Sequence, residues 1–207
     1  MKKEDQPIMA IKKEELFEKD YFQGFLSADK VDFQKRILDN YQYIRRGDIE
    51  RDFNYKQPIG YVVLIDKEEK KVFAYQRSIK DKDYTEKRLR GKWSLGIGGH
   101  VDKEDKSRNK ENPIEGGTLR EAEEEVAVKR GEMKIAGYIN DDLDDVGRAH
   151  FGILYLLEVF GDVVGKGAEI KTGKMMKREE VNEIIKNPDY ILENWAKISW
   201  PFLEEFL

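Results

Sequence analysis

Three carboxylates stand at the spacing that makes neighbours on a helix. They lie in the run LREAEEEVAV, Leu119 to Val128. At about 100° per residue, with Glu121 taken as zero, Glu124 falls near 300° and Glu125 near 40°. The three therefore share a face about 100° wide. Leu119, Ala122 and Val126 occupy the opposite, packing side, and Glu123 points away from both toward solvent. Like charges at i, i+3 and i+4 repel by a few tenths of a kcal/mol per pair, roughly, unless a cation resolves them. A hard divalent ion, Mg²⁺ or Mn²⁺, does so naturally, because it binds through carboxylate oxygens together with substrate phosphates. A glutamate-rich run is also the ordinary look of a solvated helix in a charged chain. The helix alone leaves both readings open.

The elements that must position this face can be read on either side of it. Asn112 suits an N-cap, Pro113 the first helical position, and Glu115 completes an Asn-x-x-Glu arrangement like a capping box. Upstream, IGYVVLID at 59–66 and KVFAYQRS at 71–78 flank the charged turn KEEK and predict a hairpin. A third run, KWSLGIGG at 92–99, leads into the polar stretch DKEDKSRNKE at 102–111, which has no apolar periodicity and is expected to be a loop. Strands are expected near 132–139 and 149–160, and a helix over 178–186. A last helix from about 189 would place Ile191, Trp195, Ile198 and Phe202 on one stripe. At the other end, Phe33, Ile37, Tyr41 and Ile44 recur at helical spacing, and Gly47 follows as a stop. Residues 12–46 are therefore expected to be helical, an N-terminal extension covering 1–57 ahead of a main domain at 58–207. Strands and helices in this order indicate an α+β or α/β sandwich.

With these elements in place the sequence resembles the Nudix (MutT-like) superfamily, whose box runs G-x5-E-x7-R-E-U-x-E-E-x-G-U, U being a bulky aliphatic residue. Gly99 matches the opening glycine, Arg120 and Glu121 the Arg-Glu pair, Glu124 and Glu125 the Glu-Glu pair, and Val128 the final aliphatic. The strand ending in Gly98 and Gly99 also fits. Aligned back from Arg120, three departures appear: seven extra residues precede the helix, Asn112 stands where the box has its first glutamate, and Ala127 replaces the penultimate glycine. The phrase GKWSLGIGGH resembles a branch described as predicted phosphoesterases.

The resemblance implies an α/β/α sandwich with a mixed sheet, extended by the N-terminal segment and a C-terminal helix. It implies Mg²⁺- or Mn²⁺-dependent hydrolysis of a phosphoanhydride in a nucleoside diphosphate linked to another group. Glu121, Glu124 and Glu125 would hold metal. Glu111, the carboxylate nearest Asn112, is a further candidate ligand by position, the alternative being that it points to water. Arg120 would orient a glutamate without being acid or base, and the general base stays open between Glu121 and Glu169. Arg77, Arg90 and Lys92, with Gly98, Gly99 and His100, are the candidate contacts to diphosphate oxygens, arginine through a bidentate fork. His150 reads as structural, the acidic run Asp141, Asp142, Asp144 and Asp145 as a solvated turn, and Trp195 with Trp200 as core or a homodimer contact. Isopentenyl diphosphate isomerase shares the Gly-Gly-His segment, but its chemistry needs a cysteine, and this chain has none. The alternative is a weakly active or inactive Nudix-like ligand-binding module, suggested by Asn112 and Ala127 and opposed by the retained Arg-Glu and Glu-Glu pairs.

Composition narrows the partners. The 207 residues carry 39% charged and 39% hydrophobic residues with a net charge of −4, both signs interspersed, which gives no basic footprint for nucleic acid. No apolar run reaches the length of a membrane span, and the start, MKKEDQPIMA, lacks the apolar centre of a secretion signal. A cytoplasmic enzyme acting on a small nucleotide or diphosphate is the expectation.

Overall fold

A computed structural model describes residues 3–78, 90–166 and 170–207. In chain order the elements are β1 (Pro7–Lys12), α1 (Lys13–Phe17), β2 (Gly24–Ser27), α2 (Phe33–Asn40), β3 (Gln42–Arg45), α3 (Arg46–Ile49), β4 (Tyr55–Asp66), β5 (Lys71–Arg77), β6 (Trp93–Ser94) and β7 (Gly96–His100). They continue with α4 (Pro113–Glu125), β8 (Val126–Asn140), α5 (Asp145–Ala149), β9 (His150–Gly165), β10 (Ile170–Met176), α6 (Arg178–Lys186) and α7 (Asn194–Leu203). The fold is mixed α/β, a large mixed sheet with helices. Contacts group the chain into two units, Met1–Tyr61 with Gly98–Glu121 and Ile135–Tyr155, and Val62–Ile97 with Ala122–Lys134 and Leu156–Leu207.

In the first unit β1 runs antiparallel to β3, from Pro7 opposite Arg45 to Ala10 opposite Gln42, and its end pairs with the start of β4 at Ile11 and Lys56. β2 pairs with the end of β8, Gly24 opposite Asn140 and Ser27 opposite Gly137. An aromatic cluster fills the interior, with Phe33 against Phe17, Tyr138 and Phe151 at ring separations of 6.1, 5.1 and 5.4 Å. Edge-to-face pairs at such distances add to the area they bury. In the second unit β5 pairs with β10, β4 and β6, and Val62, Leu64, Val72 and Phe73 are buried. Alternation along β4 and β5 gives way to continuous burial, as in strands covered on both faces.

Three expectations need correction. The segment 12–46 is not one helix. Phe33 and Ile37 do line the buried side of α2, which Asp32 caps by accepting from the Lys35 amide at 2.9 Å. Tyr41 then turns extended as the C-cap, and Ile44 belongs to β3, so two members of the apparent helical repeat lie outside any helix. The carboxylate helix stops at Glu125, where the Lys166 amide takes the Glu125 carbonyl at 2.7 Å and the β-branched Val126 opens a strand. Ala127 lies inside β8 and is absent from the positive-φ positions, so nothing there requires glycine. The last helix begins at Asn194 because Trp93 binds the preceding segment by backbone hydrogen bonds to Ile191 and from Glu193. Its buried residues are Ala196, Ser199, Trp200 and Leu203, a shift of phase that leaves Ile191 exposed. The hairpin at 59–78 and the helix at 178–186 fall where expected.

Lys56 lies wholly inside the first unit, its ammonium donating to Asp142 at 2.6 Å, the Gly147 carbonyl at 2.6 Å and the His150 carbonyl at 3.0 Å. Burial pulls its pKa down to about 8, against the opposing pull of Asp142. The folded value is below the unfolded one, so between about pH 8 and about pH 10.5 the unfolded chain keeps a proton that the folded chain has released. Stability therefore rises with pH over that window. In urea denaturation the stability difference between the wild type and Lys56→Met should grow through this range. Parallel profiles would contradict the assignment.

Candidate active site

The helix that carries the carboxylates is fixed at its start. Asn112 Oδ1 accepts from the Glu115 amide at 3.2 Å, and Asn109 Oδ1 accepts from the Asn112 amide at 3.0 Å. Two glycines follow because the chain approaches closely there: a Cβ on Gly116 would meet the Asp105 carbonyl at 2.7 Å, and one on Gly117 the Asp105 carboxylate at 2.7 Å. One turn on, Thr118 returns its hydroxyl to the Ile114 carbonyl and sits where a Cβ on Gly60 would be.

Arg120 is the centre of the arrangement. Its Nε donates to Asp105 Oδ1 at 2.8 Å and its second amino group to Asp105 Oδ2 at 3.1 Å, a bidentate fork on a carboxylate that is 1% exposed. The same guanidinium donates to Glu121 Oε1 at 2.7 Å and to the His100 carbonyl at 3.1 Å, with Asp102 at 3.6 Å. Burial works against the guanidinium charge, but Asp105 and Glu121 outweigh it and hold the pKa above its ordinary value. Glu121 is packed beneath Gly99, where a Cβ would come within 2.1 Å of its carboxyl carbon. The opening glycine and the Arg-Glu pair of the motif are thus one physical unit. Burial raises the Asp102 carboxyl to about 6, Arg120 opposing and Asp105 and Glu121 assisting.

Asp105 was not among the sequence candidates. Its signal lay in counting forward: it is the sixth residue after Gly99, the box's own spacing for the first glutamate, whereas counting back from Arg120 reaches Asn112. The expected loop is a 3-10 turn over Lys103–Ser107 that buries Asp105, with the Asp102 amide donating to Asp105 Oδ2 at 2.8 Å. Asn112 serves as a cap, and Glu111 is exposed.

The other candidates are placed as follows. The His100 ring faces inward, Nε2 at 2.8 Å from Gln57 Oε1 and 3.3 Å from His150 Nε2. Burial, then the charges of His150, Arg46, Lys3 and Arg120, hold its pKa well below the usual imidazole value, so the His100 ring is neutral. His100 meets Arg120 through its carbonyl, and its ring has other partners. Gly98 lies against the Gly60 carbonyl, 3.0 Å from where a Cβ would be. In the second unit Glu124 is exposed, Glu125 half-buried, and Glu123 is exposed and paired with Arg130 at 2.7 Å. Arg77 is buried against Glu193 at 2.5 Å, which also accepts from Ser94 at 2.7 Å; Arg90 and Lys92 are half-buried just ahead of β6. Glu169 lies outside the described residues. Among the described residues no three His, Asp or Glu side chains form a ready-made metal cage.

The comparisons with known proteins agree with this geometry. The NUDIX domain model matches residues 56–201, more than half of the chain. Protein YmaB of Bacillus subtilis (strain 168) is 35% identical over 214 residues, covering 99% of this chain and 100% of YmaB. The crystal structure of Tm1382, assigned as a Nudix hydrolase, aligns with a TM-score of 0.79 at 27% identity, over 98% of this chain and 100% of that one. A NUDIX hydrolase from Alicyclobacillus acidocaldarius shares the fold, with a TM-score of 0.56 at 14% identity over 73% of this chain and 90% of its own. A domain model matched over most of the chain, and a relative alike from end to end, place the chain in the NUDIX domain family.

Proposed function

We propose that the protein hydrolyses a phosphoanhydride bond in a nucleoside diphosphate linked to another group, with one to three divalent cations held by Glu121, Glu124 and Glu125. The observation that carries this reading is the clamp on Glu121: Arg120 holds one of its oxygens at 2.7 Å, and Gly99 leaves room for the carboxylate directly below the backbone. Glu124 and Glu125 follow on the same helix, at the spacing that shares its face. The donor set suits Mg²⁺ or Mn²⁺, because such ions take one or two protein carboxylates and complete their shell with water and substrate phosphate, which needs no closed cage. When bound, the cation supplies neutralisation of phosphate oxygens and a more acidic attacking water.

The chain's own contribution is placement. Arg120 keeps Glu121 aimed, and Asp105 keeps Arg120 from following the substrate's phosphates away from Glu121. His100, being neutral, adds no competing charge beside the clamp. Asn112 and Ala127 do not count against the reading, since one caps the helix and the other sits in a strand.

Turnover with and without Mg²⁺ across nucleotide sugars, ADP-ribose, dinucleotides, NADH, coenzyme A and triphosphates tests the reaction, run in oxygen-18 water. The label should enter a phosphate-containing product; its absence from phosphate, or no turnover at all, would sink the proposal and favour a binding module. Glu124→Gln and Glu125→Gln should each lower kcat at least about a hundredfold, about 2.7 kcal/mol, with Glu123→Gln near the wild type. Equal damage at Glu123 would contradict the shared face. Gly99→Ala must displace the Glu121 carboxylate, and it should lower kcat at least about tenfold even at saturating Mg²⁺. Wild-type turnover in that variant would show that the clamp is not required.

A further inference from the structure

The N-terminal strand reaches the clamp directly, which no feature of the motif requires. The Met9 amide donates to the Val101 carbonyl at 2.8 Å, and Ile8 forms a bridge with Asp102. Just before β1, Gln6 Nε2 donates to Asp102 Oδ2 at 2.6 Å. Gln6 is itself anchored, its carbonyl accepting from the Arg46 amide at 2.9 Å, while β1 is held by β3 over Pro7–Ala10 and by β4 at Ile11 and Lys12. Ile8, Ala10 and Ile49 are buried together beneath these strands, with Ile44 and Tyr55 packed on them. A rigid support therefore presents one amide to one carboxylate.

That carboxylate stands at a junction. The Asp102 backbone N–H donates to Asp105, and Asp105 holds Arg120, which holds Glu121. Asp102 Oδ2 is 3.6 Å from the Arg120 amino group that already serves Asp105 and the His100 carbonyl. A half-buried carboxylate without its amide donor takes the nearest cation, because leaving a buried polar group unsatisfied is costly and more so when it is charged. Here the nearest cation is Arg120, and drawing it away would loosen both the fork on Asp105 and the bond to Glu121.

We propose that Gln6 is a positioning residue of the active site: by engaging Asp102 it keeps that carboxylate off Arg120 and leaves the guanidinium to Asp105 and Glu121. The N-terminal segment is then part of the catalytic apparatus. The kinetic half of this inference rests on the hydrolase reading; the structural half does not.

The test uses the full chain with Gln6→Leu, which removes the donor, and Gln6→Lys, which restores one. Hydrogen exchange of the Arg120 side-chain Nε–H, followed by ¹⁵N NMR, reads the clamp without any substrate. Gln6→Leu should speed that exchange at least about tenfold while the Val62 and Leu64 amides are unchanged, and Gln6→Lys should bring it back toward the wild type. With whichever substrate the panel yields, kcat should fall about tenfold with KM within about twofold, and Gln6→Lys should recover it. Unchanged exchange at Arg120, or a general rise that includes Val62 and Leu64 and that lysine does not reverse, would overturn the proposal. A wild type that turns over nothing would sink the hydrolase reading alone, and the exchange measurement would still decide the role of Gln6.

Discussion

The ion pair between Asp105 and Arg120 is the constraint on which the rest of the first unit depends. Taking both charges out of water costs several kcal/mol, and their attraction compensates only when the remaining donors and acceptors are also filled. They are filled here: Asp105 accepts twice from Arg120 and once from the Asp102 amide, and Arg120 also reaches Glu121 and the His100 carbonyl. Each partner fixes something else in turn. The close approach of Asp105 requires glycine at 116 and 117, and the direction of Arg120 requires Glu121 to lie under Gly99. A helix, a turn and a strand end are thereby brought into one relation by two opposite charges.

The enlarged loop is intelligible on the same grounds. Closure cost grows slowly with loop length, roughly 0.6 kcal/mol per doubling, so extra residues are tolerated wherever both ends are well held. One end is held by Asp105, and the other by Asn109 and Asn112, which bond each other and cap the helix. The insertion falls between the acid and the helix, not between the glycine and the acid. That placement leaves the charge pair intact.

How much of this was legible in the sequence depends on how local the cause was. The hairpin at 59–78, the helix at 178–186, the cap at Asn112 and the surface position of Glu123 follow from patterns within a few residues. The N-terminal segment misled because Tyr41 and Ile44 continued a helical spacing into a strand whose existence depends on pairing with β1. The end of α4 was misplaced because the partner that stops it, Lys166, is distant in sequence. Asp105 was overlooked among ten polar residues, since burial of a charge in a loop is decided by its partner and not by its neighbours. His100 was found, but its ring takes partners at Gln57 and His150 that no spacing announces.

The wide sequence separation of these contacts bears on how the chain is made. Gln6 and Asp102 are 96 residues apart, and β2 has its register partners at Gly137 to Asn140. As synthesis proceeds from the N-terminus, β1 and β3 can pair early, but β2 must wait until most of the protein has been translated. Contacts of this kind slow folding, because loop-closure entropy is lost before the non-local pairing compensates for it. In the interval the edge of β2 and the apolar residues Phe17, Phe22 and Phe33 have no Tyr138 or Phe151 to pack against. The nascent chain therefore carries a cluster of unburied phenylalanines for much of its synthesis, the kind of surface that chaperones bind and that drives aggregation when expression is fast.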